Sequence, residues 1–253
     1  MRHYVLSETN WKTVKDQEYD LAILPWGATE AHNYHLPFGT DNFETELIAI
    51  ESARLAWEKK ARVVVLPTIP VGVNTGQKDI RLTMNLNPST QSIILKDLIE
   101  SLIHHKIYKL LIMNGHGGND FRQMIRELGY NYPQMLISTC NWYMSFEKEK
   151  IFENDGDHAD EMETSLMLHL VPELVLSIEE AGDGNFKRFS IKAFNENWAW
   201  AERKWSSVTA DTGIGNPKKA SKEKGERYFI EVTEKISKLM IELAKADLDD
   251  MYQ

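Results

Sequence analysis

Between Leu24 and Asp41 the chain reads LPWGATEAHNYHLPFGTD, which places Glu30, His32, His35 and Asp41 in one short stretch behind an apolar run. Imidazole nitrogen and carboxylate oxygen are donors that zinc and manganese accept, and a site forms where several converge on one point. A second stretch, NGHGGND from Asn114 to Asp120, sets His116 among Gly115, Gly117 and Gly118. Glycines there let the backbone turn sharply or approach a ligand closely. A third, GDHADEMETS, brings together His158, Glu161 and Glu163. Each stretch also has a structural reading. Asp41 followed by Glu44 is a capping-box pattern. The glycine-rich turn suits a phosphate at a helix N-terminus, although it has neither a P-loop lysine nor the dinucleotide spacing. Glu161 and Glu163 suit the first turns of a helix, where they meet its dipole. Taken together, the three stretches point to divalent-metal chemistry.

The elements that must hold these residues follow from hydrophobic pattern. LAILPW at residues 21–26, RVVVL at 62–66, YKLLIM at 108–113 and residues 135–139 read as strands. Helices are predicted over 42–58, from Ser89 with Ile93, Ile94, Leu98, Leu102 and Ile103 as its apolar stripe, after Asp120, and over about 219–247. DGDHADEMETSLMLHL reads as a loop carrying His158 into a further helix, and GIGNP at 213–217 as a turn. Strand and helix alternate through the first half, which implies parallel strands with helices on both faces: an α/β fold of three layers, α/β/α. Functional loops then gather at the carboxyl ends of the strands, where the first two stretches lie. Residues 68–88 form a long loop without a period, the kind that is usually functional. No repeat or linker divides the chain, so residues 1–253 are expected to form a single domain.

With 42% hydrophobic and 26% charged residues the composition is that of a globular protein. The net charge of −9 argues against nucleic-acid partners. The opening MRHYVLSETNW lacks the apolar core of a secretory signal, and no run is long enough to span a membrane. The single Cys140 suits a reducing compartment, so a cytoplasmic location is expected.

The segments PWGATEAHNYHLPFGTD, NGHGGN and GDHADEMETS, with GIGNPKKASKEKGE near the C-terminus, resemble the creatininase (creatinine amidohydrolase) family in content and order. The resemblance implies a binuclear centre of zinc, manganese or iron and a homo-oligomer, often a hexamer. Carried over by position, Glu30 and His116 hold one metal, His32 the other, and Asp41 bridges them. Creatininases have a glutamate two residues after the position of His116, where this chain has Gly118. Glu163, or else Glu161, is the candidate replacement. His158 matches the catalytic histidine, and Asn74 stands where creatininase has a substrate-binding serine. Gly117 and Trp142 complete the expected substrate site, with Trp198 and Trp200 as further candidate walls. The implied activity is hydrolysis of an amide, formamide or cyclic-amide C–N bond of a small molecule by a metal-bound hydroxide, with His158 moving the proton. The departures at Gly118, Asn74 and the 74–86 segment set creatinine itself aside as the expected substrate. Two rivals stand beside this reading. One is a binuclear phosphoesterase, for which Lys78 and Arg81 are the nearby cations. The other is an inactive family member serving in assembly or ligand binding.

Overall fold

The computed structural model describes residues 2–252. A short helical turn, α1 (Trp11–Val14), precedes β1 (Leu21–Trp26), α2 (Thr40–Glu58) and β2 (Val63–Val65). Then come α3 (Pro88–His104), β3 (Lys109–Asn114), α4 (Arg122–Asn131) and β4 (Leu136–Asn141). The second half holds β5 (Gly156–His158), α5 (Glu161–Leu170), the one-turn helices α6 (Lys192–Asn195) and α7 (Trp205–Val208), β6 (Ile214–Gly215) and α8 (Lys222–Lys245).

The strands β1 to β4 pair in parallel in the order β2-β1-β3-β4. From β1 the chain adds β2 on one side and β3 on the other. The crevice where the order reverses therefore lies at the carboxyl ends of β1 and β3, the place where open α/β sheets bind ligands. Every residue of β1 is buried, including Pro25, a residue that a central strand normally rejects. Its missing N–H costs nothing here. Pro25 points to the same side as Ile23, toward β2, and β2 has already ended at Val65 opposite Ile23. The Pro25 carbonyl is taken instead by the N–H of Ile69.

Alternate residues of the strands feed two cores. Leu21, Ile23, Val63, Val65, Leu111 and Met113 pack with α2, α5 and α8 on one face. Ala22, Leu24, Val64, Leu110 and Ile112 pack with α3 and α4 on the other. This is the expected three-layer α/β/α architecture. Fully buried side chains such as Leu95 and Ile99 contribute about 1.5–3 kcal/mol each from removal of apolar surface.

Several local expectations are corrected. Of the stripe predicted for α3, Ile94, Leu98, Leu102 and Ile103 pack against the core, but Ile93 is exposed and Leu95 and Ile99 are the most buried, because the helix is rotated slightly from the predicted face. Asp41 does not cap α2. Gly39 is the N-cap and Asp41 lies in the first turn, so the capping-box reading with Glu44 fails. His158 lies in β5 rather than in a loop, and GIGNP is not simply a turn: Ile214 and Gly215 form β6, antiparallel to β5. The helix after His158 is capped by Asp160, which accepts from the N–H groups of Met162 and Glu163.

Candidate metal centre

The loop after β1 folds back on itself. His32 and Leu36 bridge in antiparallel fashion, and Glu30 N–H donates to Phe38 O. Asn33 turns the hairpin with a φ of 54°, and its N–H donates to Thr212 Oγ1. Glu30 and His32, two apart on an extended segment, therefore face the same side, and Asp41 returns to them from the first turn of α2. The loop after β3 is fixed by its asparagines. Asn114 Oδ1 accepts from His116 N–H and from Asn119 Nδ2, while Asn114 Nδ2 donates to His116 O. This lattice presents the His116 ring across the crevice toward the first loop.

There the side chains meet. His116 Nδ1 lies 2.8 Å from Glu30 Oε1 and 3.1 Å from Asp41 Oδ2. His32 Nε2 lies 3.0 Å from Asp41 Oδ1. Donor atoms of Glu30, Asp41 and His116 form one close group, and those of His32, Asp41 and Glu163 a second. Asp41 is common to both, and its two oxygens face different groups. A third close group joins Glu30, His32 and His158. The His158 ring stacks 4.1 Å from that of His32, and its Nδ1 is 4.0 Å from Glu30 Oε1.

Each imidazole is oriented by a backbone carbonyl through its other nitrogen. His116 Nε2 contacts Val73 O at 2.9 Å, His32 Nδ1 contacts Glu30 O at 3.1 Å, and His158 Nε2 contacts Ala31 O at 2.8 Å. A carbonyl accepts only, so these nitrogens carry hydrogen and leave His116 Nδ1, His32 Nε2 and His158 Nδ1 facing the carboxylates. This is how metal-ligating histidines are usually held. A tetrahedral ion with bonds of about 2.0–2.1 Å sets its donors roughly 3.3 Å apart, close to the separations here. Glu30, His32, Asp41 and His116 are buried, and Asp41 Oδ2 accepts no aligned hydrogen bond among the described residues. The donor set fits a divalent metal.

Electrostatics shape the cluster further. Burial disfavours both members of each charged pair, but the facing charges overcome it. His32 is pushed up to about 10 by Asp41, and His116 well above its usual value by Glu30 and Asp41. Burial would raise Glu30 and Asp41, yet the imidazoles hold both below the usual carboxylate range. Glu163 goes the other way. Burial, reinforced by Asp160 and Asp41 against the pull of His32, raises it to about 8. Burial and the charge of His32 lower His158, so its imidazole is neutral near pH 7.

The remaining expected residues are placed as follows. Glu161 points away from the centre: its carboxylate accepts from the N–H groups of Glu153 and Asn154 and from Lys224 Nζ at 2.5 Å. Glu163, by contrast, joins His32 and Asp41. Asn74 is buried at the head of a turn in the long loop. Gly117 is exposed, and a Cβ on it would meet nothing within 4 Å. Gly118 differs sharply. A Cβ there would lie 2.3 Å from Val73 O and 2.4 Å from His116 Nε2, so this loop path excludes a side chain at the position where the family resemblance implies a glutamate. Trp142 is buried, with its Nε1 donating to Thr45 Oγ1 at 3.1 Å, and supports the site from within the core. Trp198 and Trp200 are 75% and 83% exposed and do not wall the centre. The aromatic neighbour is Trp205, edge-on to His158 at 5.1 Å. Sequence reasoning also missed Gln77, whose Nε2 donates to Glu30 Oε2. The only signal for it was the length of the ordered 68–88 loop. Lys78 and Arg81 are exposed, and among the described residues no lysine or arginine bonds to any residue of the cluster.

Comparison with known proteins bears on the family and the fold. The family model described as Creatininase: Creatinine amidohydrolase matches residues 7–240. A crystal structure from Bacteroides fragilis NCTC 9343, described as a candidate creatinine amidohydrolase, superposes with a TM-score of 0.94 at 44% identity and covers 100% of both chains. A creatinine amidohydrolase of Pseudomonas putida is 28% identical over 199 residues, 67% of this chain and 73% of that protein. A mycofactocin precursor peptide peptidase of Mycobacterium ulcerans (strain Agy99) is 25% identical over 223 residues, 84% of this chain and 81% of that protein. A manganese form of creatininase shares the fold, with a TM-score of 0.78 at 21% identity over 96% of this chain and 99% of that one.

Proposed function

This chain belongs to the creatininase family, and on that premise we propose that it is a metal-dependent amidohydrolase with two divalent ions, zinc, manganese or iron. Glu30 and His116 would hold one, His32 and Glu163 the other, and Asp41 would serve both. The observation that carries this reading is the pair of donor groups sharing Asp41, with each imidazole anchored by a backbone carbonyl. Bound ions supply Lewis acidity toward a carbonyl group and toward water.

The chain's own groups do the rest. The lowered pKa of His158 favours its neutral form and its Nδ1 faces the centre, so its role is to take a proton from the attacking water and return it to the nitrogen released as the C–N bond breaks. Trp205 packs edge-on against that ring, and both side chains are buried. Glu163 fills the role that Gly118 cannot. The lack of cationic side chains at the cluster disfavours a phosphate ester as substrate. A small amide, or an amide derived from a peptide as one relative's name suggests, fits better. We place this activity in one domain spanning the chain, in the cytoplasm and in a homo-oligomer; the exposed Trp198 and Trp200 support subunit contact. Among the described residues no helix is long and apolar enough to cross a membrane.

Asp41→Asn tests the bridge. Asparagine keeps the shape and offers one neutral oxygen, so zinc bound per chain should fall from two to one or none, together with hydrolysis of small amides. Two zinc ions retained in the variant would remove the bridging role.

A further inference from the structure

Two arms that reach the centre from outside also enclose a cavity. Residues 75–79 deliver Gln77 to Glu30, and residues 202–206 deliver Trp205 to the His158 ring. Between the arms lies an open cavity of about 360 Å³. The arms are clasped together. Thr75 Oγ1 donates to Glu202, Ser206 Oγ donates to Asp79, and Lys204 Nζ lies 3.7 Å from Asp79 Oδ2. Gly76 permits the close approach, because a Cβ there would fall 2.3 Å from Arg203 O.

The cavity walls carry three cations, Lys78, Arg203 and Lys204, and two acids, Asp79 and Glu202. Both acids are turned to the clasp, and so is Lys204. Lys78 is exposed, and no carboxylate among the described residues pairs with it. The Arg203 side chain is 37% exposed and gives Nη1 to Asp157 Oδ2 at 3.2 Å, while its Nε and Nη2 make no hydrogen bond among the described residues. Its guanidinium lies 4.6 Å from the Trp205 ring, which is 5.1 Å from that of His158, so the two contacts put the cation within about 10 Å of the imidazole. These cations stand one side chain outside the cluster. They meet a charge carried elsewhere on the substrate rather than on its reacting group.

We propose that Arg203 and Lys78 form a carboxylate subsite, and that the substrate is an amide whose leaving nitrogen belongs to an amino acid. The charge lies on the leaving side because His158 serves the leaving nitrogen and Arg203 stands beyond it across Trp205. The span suits a short spacer. A hydrogen bond of about 3 Å at each end leaves room for roughly one residue of extended chain, about 3.3–3.6 Å. Water adds across the C–N bond, and the products are a carboxylic acid and the free amino acid. This rests on the amidohydrolase reading and adds the substrate class to it. A guanidinium takes a carboxylate through paired, charge-assisted N–H bonds. A neutral analogue should therefore bind about tenfold more weakly. The difference should narrow as salt rises, because the cavity is open to water.

The test uses the zinc-loaded full chain with N-formyl-L-leucine and its neutral partner N-formyl-L-leucinamide. Binding is followed by ligand-observed NMR and hydrolysis by release of formate. Tighter binding and a lower KM for the acid, by about tenfold at low salt, are expected. That preference should fall toward equality in Arg203→Gln and shrink in Lys78→Gln, through KM rather than kcat, with the zinc content unchanged. Lys78→Gln keeps the test valid if Arg203→Gln is unstable, because Lys78 takes no part in the clasp. A preference that survives in Lys78→Gln and in folded Arg203→Gln overturns the subsite, since another group then holds the carboxylate. Equal binding of acid and amide by the wild-type chain, or binding of neither, also overturns it. Equal hydrolysis of both overturns it and leaves the amidohydrolase reading standing. Selective binding of the acid, lost in the variants, with no formate released supports the subsite and counts against that reading.

Discussion

Adjacent glycines, Gly117 and Gly118, are expected to respond in opposite ways to the same methyl group. A Cβ on Gly118 would fall 2.3 Å from Val73 O and 2.4 Å from His116 Nε2, the two ends of one hydrogen bond now 2.9 Å long. Real Cβ atoms stay beyond 3.0 Å, so the carbonyl, the ring or both must retreat by roughly 0.7 Å. Neither can do so without breaking the bond that aims His116 Nδ1 at Glu30 and Asp41. Loss of such a supporting contact costs about 10–100-fold in metal affinity, or about 1.4–2.7 kcal/mol. Gly117→Ala meets nothing within 4 Å and should bind metal as the wild type does. Gly118→Glu, although it adds the carboxylate that the family resemblance implies, should lose affinity rather than gain it. The assay is zinc competition against a fluorescent chelator, with circular dichroism to verify folding. Equal affinity in the wild type, Gly117→Ala and Gly118→Ala would refute the reasoning, as would improved binding by Gly118→Glu.

Three further outcomes are expected. Glu163→Gln should release the metal shared with His32, whereas Glu161→Gln should keep both metals and lower the melting temperature, because it uncouples Lys224 and the 153–154 backbone from α5; metal counting by mass spectrometry with a thermal melt separates the two. His158→Ala should retain metal and slow turnover by about 10²–10⁴-fold, and loss of a metal in that variant would make His158 a ligand instead. Glu163 at about 8, His32 at about 10 and His116, held well above its usual value, all carry protons at pH 7 before metal binds. Zinc must displace them, so uptake should acidify a weakly buffered solution by about three protons per chain and tighten as pH rises above 7; uptake without proton release would contradict the facing-charge picture.

The sequence by itself determined the layers and the donors. Runs such as LAILPW and YKLLIM are too apolar for anything but buried strands, and their alternation with amphipathic segments leaves little choice besides a parallel sheet covered on both faces. Glu30, His32, Asp41 and His116 were legible because their residue types are rarely buried without chemical cause and because they follow strands. Tertiary structure decided what spacing along the chain cannot encode. It set the order β2-β1-β3-β4, which brings the loops after β1 and β3 to one crevice although about 80 residues separate them. It brought Glu163 rather than Glu161 to His32 and Asp41: two positions roughly 200° apart around a helix, where the packing of α5 on α8 decides which one faces the cluster. It replaced the exposed Trp198 and Trp200 by Trp205, and it brought Gln77 to Glu30 from a loop with no periodicity to read. A strand or helix face repeats along the chain and leaves a pattern, whereas a contact between two irregular loops occurs once and leaves none.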